Sequence, residues 1–319
     1  MSQFGFSSTA DEVLEGKDLS DRSVLITGGY SGLGQETARA MAAKGAHVIL
    51  AGRDATKLAA AADELATMTG ARIDTLVVDL ASQKSIRAAG QEARDRFAHI
   101  DILINNAGVM AAPLGRTADG FETQFGTNHL GHFALTRELM PLLENGTRQR
   151  IVNLSSRGHH FGEVDLEDPN YEHREYDKWK AYGQSKTANI QFTRGLEDRF
   201  GDKGIHAYAV HPGGIHTNLG RHMTDQDRAW MAQRVKKMAE ESGDASKGFK
   251  SIPQGAGTTV WVATADELEG RGGIYAEDVE VAEVNDHNPT GGVRSYALDK
   301  DKADRLWALS EDLTGARFT

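Results

Sequence analysis

Along the first 210 or so residues, apolar positions gather into short β-branched runs separated by longer stretches of helical spacing. Ser23–Thr27 (SVLIT) is the first run, and it leads through a glycine turn into a helix predicted over Leu33–Lys44 and closed by Gly45. His47–Leu50 (HVIL) follows at once, then an alanine-rich helix around Lys57–Met68, then Ile73–Asp79 (IDTLVVD). Further strands are predicted at Ile102–Asn105, Arg150–Ser155 and His206–His211, each preceded by a segment of helical periodicity. Strands that alternate with helices cannot pair as hairpins, so the connections are crossovers over a parallel sheet. The expected fold is α/β, a doubly wound parallel sheet built as one domain from residues 23–277. Residues 1–22 and 278–319 read as extensions of it, the second with a last helix over Lys300–Leu313. Two stretches break the rhythm. Residues 157–181 read as an insertion, and 214–250, beyond a strand end, as a substrate lid.

Composition narrows the function. The 46 acidic and 36 basic side chains leave a formal net charge of −10, which argues against nucleic acid or an anionic lipid surface as partner. No apolar run approaches the ~20 residues of a spanning helix, so no membrane span is expected. The absence of cysteine excludes disulfides, thiolate nucleophiles and cysteine-held metals, so redox chemistry would belong to a bound cofactor. The first residues, MSQFGFSSTADEVLEGKD, carry acids where a signal peptide needs a basic start, and a cytoplasmic protein is expected.

The segment Thr27-Gly28-Gly29-Tyr30-Ser31-Gly32-Leu33-Gly34 lies between the first strand and the first helix, the context a dinucleotide cradle requires. Glycines there permit a tight turn and close approach of backbone to pyrophosphate, while the helix N-terminus offers free N–H groups. An ordinary glycine-rich turn is the competing reading. The second strand ends at Gly52-Arg53-Asp54, where an NAD-selecting protein would place an acid against the adenosine ribose. Glycine there lifts repulsion of a 2′-phosphate, and the planar fork of Arg53 can grip it. NADP(H) is therefore the preferred cofactor and NAD(H) the lesser option, unless Arg53 is simply a solvated residue before the helix cap Asp54. Because all strand C-termini of an open parallel sheet share one edge, Gly28, Arg53, Asp79, Asn105 and Ser156 should converge on one long ligand.

Tyr182-Gly183-Gln184-Ser185-Lys186 opens a segment of helical character, and positions four apart share a helix face. A phenol of ordinary pKa near ~10 is a poor base at neutral pH, but a neighbouring ammonium favours the phenolate. Tyr182 and Lys186 thus form a candidate general acid–base.

Taken together, TGGYSGLG (27–34), the Asp79-Leu80 pair, NNAG (105–108), TNHLGHF around Asn128, NLSS (153–156), YGQSK (182–186) and HPG (211–213) resemble the short-chain dehydrogenase/reductase family, with its Rossmann-type fold, from about Ser23 to Tyr275. GRD (52–54), GTNHLGHFALT (126–136) and YGQSKTANI (182–190) are most similar to its retinol-dehydrogenase-like branch. The resemblance implies that Tyr182 exchanges the proton with the carbonyl or alcohol oxygen, that Lys186 lowers the tyrosine pKa and binds the nicotinamide ribose, that Ser156 hydrogen-bonds the reacting oxygen, and that Asn128 maintains a water-linked proton path through Lys186. It also implies cofactor contacts from Gly28, Tyr30, Ser31, Gly32, Leu33 and Gly34, from Asp79 and Leu80 at the adenine, from Asn106, Ala107 and Gly108, and from Pro212, Gly213 and Thr217 near the carboxamide.

The reading is an NADP(H)-dependent oxidoreductase interconverting an alcohol and a ketone or aldehyde, with a small-molecule substrate and no metal. Its rivals are a non-catalytic NADP(H) sensor and an isomerase or dehydratase on the same fold. No apolar anchor like that of membrane retinol dehydrogenases is found, which argues against a lipid-dissolved retinoid. The long Ser156–Tyr182 separation suggests a segment covering a helix face used elsewhere for assembly, so a monomer or homodimer is expected rather than a tetramer. His129-x-x-His132 lacks a third ligand and reads as packed, and no G-x-S-x-G elbow surrounds Ser155 or Ser156. The Met223–Met238 stretch, with Trp230, Met231 and Val235, is either a lid over an apolar substrate or a plain amphipathic helix. An anionic substrate would need a basic patch such as Arg221 with Lys236-Lys237.

Overall fold

The β-branched runs become six strands of a single eight-stranded sheet in the computed structural model, which describes residues 4–241 and 248–318, the Met238 side chain excepted. The strands are β1 (Ser23–Thr27), β2 (His47–Gly52), β3 (Ile73–Val77), β4 (Ile102–Asn105), β5 (Arg150–Leu154), β6 (His206–His211), β7 (Ile274–Glu277) and β8 (Glu280–Val281). Their order is β3-β2-β1-β4-β5-β6-β7-β8, the doubly wound arrangement expected, with the reversal point between β1 and β4. Ile26 pairs with Leu50 on one side and Ile104 on the other, all three fully buried, which is why these strands read as continuous apolar runs. The sheet is parallel except at its edge. β8 turns back antiparallel on β7 through Asp278 and Val279, both at positive φ, an edge addition to the doubly wound parallel sheet expected.

Alternate residues of each strand feed two cores. Val24 and Ile26 face a cluster with Met41, Leu58 and Val260, from the helices Gly32–Ala42, Ala55–Thr69 and Ile252–Thr264. Leu25 and Ile49 face the opposite cluster with Ile86, Phe133, Phe192 and Trp307, from Gln83–Arg96, Gly131–Glu144, Lys178–Phe200 and Lys300–Thr314. Both terminal segments join these cores. Leu14 and Leu19 are buried in the first, and Phe318 stands 5.1 Å from the Phe133 ring in the second.

The insertion 157–181 lies against the helix Lys178–Phe200. The Gln184 amide donates to the Pro169 carbonyl at 2.8 Å, and Val164 and Leu166 pack on the cluster of Phe125, Leu130 and Ala188. With Trp307 on another side, every residue from Ala181 to Thr193 is buried. Residues 242–247 of the lid stretch lie outside the described residues.

Candidate functional site

The turn after β1 forms the cradle expected of it. Gly32 sits at φ +55, and a Cβ on Gly34 would meet the Asn106 side-chain amide at 2.5 Å, so only glycine lets the helix start this close to β4. The amide of Asn106 donates to the Thr27 carbonyl at 2.7 Å, and the Thr27 hydroxyl oxygen accepts from the backbone N–H of Asn106 (2.9 Å) and Ala107 (3.0 Å). The two central strand ends are thereby locked together. Ser31 makes no side-chain cap, which leaves the N–H groups of the helix start without a local acceptor. A nucleotide pyrophosphate fits that donor set.

Along the edge, the Tyr30 ring lies against Gly52, where a Cβ would stand 2.5 Å from its Cε1, and Arg53 is exposed beside it. The neighbouring carboxylate, Asp54, caps the next helix at Lys57 N (3.1 Å) and pairs with the Lys57 ammonium (3.3 Å), as its sequence position suggested. Asp79 forms an Asx turn with Ala81 N (2.9 Å), which ends β3 at Val77. The Leu80 side chain is buried in the core cluster of Ile86 and Phe133, so only its backbone remains for an adenine ring.

The acid–base residues gather beneath this edge. Tyr182 and Lys186 lie one turn apart on Lys178–Phe200, both buried, with the Lys186 Nζ 5.7 Å from the tyrosine ring centroid. The Ser156 hydroxyl lies beside the phenol ring, both within reach of a Cβ placed on Gly158, and its oxygen accepts from Gly158 N at 2.9 Å. Lys186 donates to the Leu154 carbonyl on β5 at 2.9 Å. Burial pushes the phenol up to about 12, with the Ser156 hydroxyl lowering it in part, and pulls the ammonium down to about 8. The lysine charge expected to lower the tyrosine is not among the causes of the shift, and burial sets its direction.

Asn128 sits in a π-helical stretch, Gly126–Leu130, inserted between two α-helical segments. Its side chain reaches not Lys186 but the Val109 backbone, accepting from its N–H (2.8 Å) and donating to its carbonyl (2.9 Å), and it donates also to the Ser185 hydroxyl (2.9 Å). Asn128 thus pins the chain just past Gly108 to the helix that carries Tyr182.

These groups open on a cavity of about 580 Å³ shared by Leu33, Asn106, Gly108, Ser156, Tyr182 and Lys186. The helix Asp225–Glu241, in the stretch read as a lid, contributes Met231 and Val235 to its lining, and Met110, Phe161 and Phe249 complete the apolar part. Pro212, Gly213 and Thr217 lie on the wall after β6, as the motif order suggested. Lys236 and Lys237 do not join Arg221, since each pairs four residues on, with Glu240 (3.9 Å) and Glu241 (3.6 Å), on the exposed side of that helix.

Gly158 was not singled out from the sequence, nor were the partners of the two histidines read there as packed. A Cβ on Gly158 would stand 2.6 Å from the Tyr182 ring, so this glycine lets the ring settle beside Ser156. His132 bridges the Asn128 carbonyl (Nδ1, 2.9 Å) and the Thr27 hydroxyl (Nε2, 2.9 Å), tying the π-helical stretch to the cradle. His129 turns instead to Ser310 (2.8 Å), so the two histidines face different partners.

Residues 22–228 match the profile of the short chain dehydrogenase family. The chain is 39% identical over 312 residues to short-chain dehydrogenase/reductase prx1 of Penicillium rubens, covering 95% of this chain and 88% of that protein. It is 39% identical over 296 residues to retinol dehydrogenase 12 of Mus musculus, covering 92% and 87% respectively. Among solved structures, that of an uncharacterized protein from Mycobacterium paratuberculosis is similar with a TM-score of 0.74 at 36% identity, covering 98% of this chain and 99% of that one.

Proposed function

Because the chain belongs to the short-chain dehydrogenase/reductase family of oxidoreductases, we propose that it is an NADP(H)-dependent enzyme interconverting an alcohol and a ketone or aldehyde. The observation that carries this is the buried Tyr182–Lys186 pair beside the half-buried Ser156, opening on the same cavity as the glycine cradle. The nicotinamide cofactor, when bound, supplies or accepts the hydride. A substrate oxygen beside Ser156 and Tyr182 accepts hydrogen bonds from both hydroxyls, and Tyr182 delivers its proton there in reduction. Lys186 holds its charge close by, anchored on Leu154, where it binds the cofactor ribose and replenishes the proton. Asn128 acts as a positioning residue through Val109 and Ser185.

The exposed Arg53 and the glycine at position 52 favour NADP(H) over NAD(H). The apolar lining favours a substrate with an apolar body, and the 39% identity to retinol dehydrogenase 12 supports the retinol-dehydrogenase-like branch. Among the described residues no helix is long and apolar enough to cross a membrane. We place the enzyme in the cytoplasm, as a monomer or homodimer, since the insertion and the last helix already cover Lys178–Phe200.

The test is NADPH oxidation by purified protein against aldehydes and ketones of graded size, with NADH alongside. Turnover with NADPH well above NADH supports the reading. Tight NADPH binding without turnover of any carbonyl favours the sensor.

A further inference from the structure

Downstream of β6 the chain passes back over the cofactor groove. The Thr217 side chain lies 3.5 Å from where a Cβ on Gly32 would stand, and Leu219 Cδ1 lies 3.8 Å from the corresponding point on Gly108. The turn Asn218–His222 therefore bridges the groove from the phosphate cradle to the end of β4, and it continues into the lid helix Asp225–Glu241. It carries two basic side chains, Arg221 and His222, to the corner already occupied by Tyr30 and Arg53.

That corner has one sign of charge. Arg221 feels the charge of Arg53 and the Tyr30 phenol, and His222 feels both arginines, with no carboxylate of the described residues among the groups acting on either. Like charges raise each other's energy, and burial adds to the cost on Arg221. Among the described residues, Arg221 makes only a long bond of 3.3 Å to its own turn, at the Asn218 carbonyl, and Asp54, next to Arg53, is committed to Lys57. In a chain of net charge −10, a cationic cluster without an acid is what an anion site looks like when its ligand supplies the counter-charge.

We propose that Arg221, carried by the lid segment, is the second cation of the adenosine 2′-phosphate site, opposite Arg53, so that the phosphate ties the lid across the groove. The inference rests on the NADP(H) reading and adds a consequence to it. NADP(H), and not NAD(H), fastens the 218–222 turn where it bridges the groove, so the phosphorylated cofactor secures the covered cavity.

The test uses 2′,5′-ADP and 5′-AMP, which differ only in that phosphate, with dissociation constants measured calorimetrically on the full chain. Arg221→Ala is expected to weaken 2′,5′-ADP about tenfold and to leave 5′-AMP within about twofold, with Arg221→Lys recovering part of the loss because it restores charge without the fork. Hydrogen exchange across 218–222 should slow on adding 2′,5′-ADP to the wild type but not to Arg221→Ala. An unchanged preference in Arg221→Ala, or equal weakening of both nucleotides, overturns the inference. If Arg53→Ala abolishes the preference and Arg221→Ala does not, only the role of Arg221 falls. If the wild type binds both nucleotides equally, the NADP(H) reading fails and takes Arg221 with it.

Discussion

The Lys186 ammonium donates to the Leu154 carbonyl oxygen at 2.9 Å, two residues before Ser156, whose hydroxyl lowers the Tyr182 phenol's pKa in part. One strand end thus serves both members of the acid–base pair, anchoring Lys186 through Leu154 and setting Ser156 beside Tyr182. Buried as it is, the phenol keeps its proton with a pKa pushed up to about 12, the form that can protonate a carbonyl oxygen.

Replacing Tyr182 by Phe removes that proton and little else. Turnover of any carbonyl that the wild type reduces should fall by about 10²- to 10⁴-fold, with NADPH affinity changed less than about twofold. Steady-state kinetics and cofactor titration on the same preparation check this. Full activity in Tyr182→Phe would remove the phenol from the mechanism.

Gly34→Ala tests the cradle. The added methyl would meet the Asn106 amide at 2.5 Å, displacing it from the Thr27 carbonyl that it holds at 2.7 Å. Overpacking of this kind costs about 1–3 kcal/mol, so the melting temperature should drop by several degrees and NADPH affinity should fall by at least about tenfold. Gly70→Ala is a useful contrast: it is strained at φ +69 but has open space around it, so it should lower stability without touching cofactor affinity.

Those parts of the fold that depend on local pattern were legible in the sequence. Ser23–Thr27, Ile102–Asn105 and His206–His211 are strands with the expected ends, because burial on both faces leaves an unbroken β-branched run. β7 and β8 were not singled out. Ile274–Glu277 is four residues long and ends in an acid, and what makes it a strand is its pairing with β6, over 60 residues earlier in the chain. The motif residues Tyr182, Lys186, Ser156 and Asn106 do come together, since strand order alone brings them to one edge. The Leu80 side chain also enters a core, which no motif records. The π-helical stretch around Asn128 and the Arg53–Arg221 corner arise from one extra residue in a turn and from a chain crossing, neither of which has a periodicity to read.

His132 makes acid stability a readout of the site's framework. The Thr27 hydroxyl oxygen already accepts two backbone N–H groups and so donates its own hydrogen to Nε2, while Nδ1–H donates to the Asn128 carbonyl. That arrangement needs the neutral ring, and burial pulls its pKa down to about 4 from an ordinary 6.5. As pH falls through this window the unfolded chain binds a proton that the folded chain refuses, so stability present above about 6.5 is lost toward 4, at up to ~1.4 kcal/mol per pH unit. His129, His159 and His160, lowered by burial to about 3, 3 and 4, add to the loss, whereas the buried carboxyls Glu122 and Glu277, pushed up by burial, oppose it. Urea unfolding at pH 7, 6 and 5 should show a slope smaller by up to about one proton in His132→Asn than in the wild type. Equal slopes would mean that His132 is not held neutral.

The lid helix is fastened to the insertion by its outer end. The Trp230 ring lies 4.9 Å from Trp179 and 6.0 Å from Phe161, the Arg234 guanidinium stands 5.2 Å over Phe161, and Asp227 binds the Lys178 ammonium at 2.5 Å. Trp230 is 38% exposed and so adds little to the core, yet its partners belong to the segment that runs from Ser156 to Tyr182. An aromatic contact of this kind is worth about 0.5–1.5 kcal/mol. If that energy holds the lid shut over a bound carbonyl, Trp230→Ala should raise KM about 3- to 10-fold for the larger carbonyls of a graded series, change kcat little, and leave NADPH affinity alone. Trp179→Ala should do the same, and the double variant little more, because either change breaks one contact. A lower melting temperature with unchanged KM would instead make the aromatic pair a packing feature, and the lid would owe its position to Lys178–Asp227 and the apolar face of Met231 and Val235.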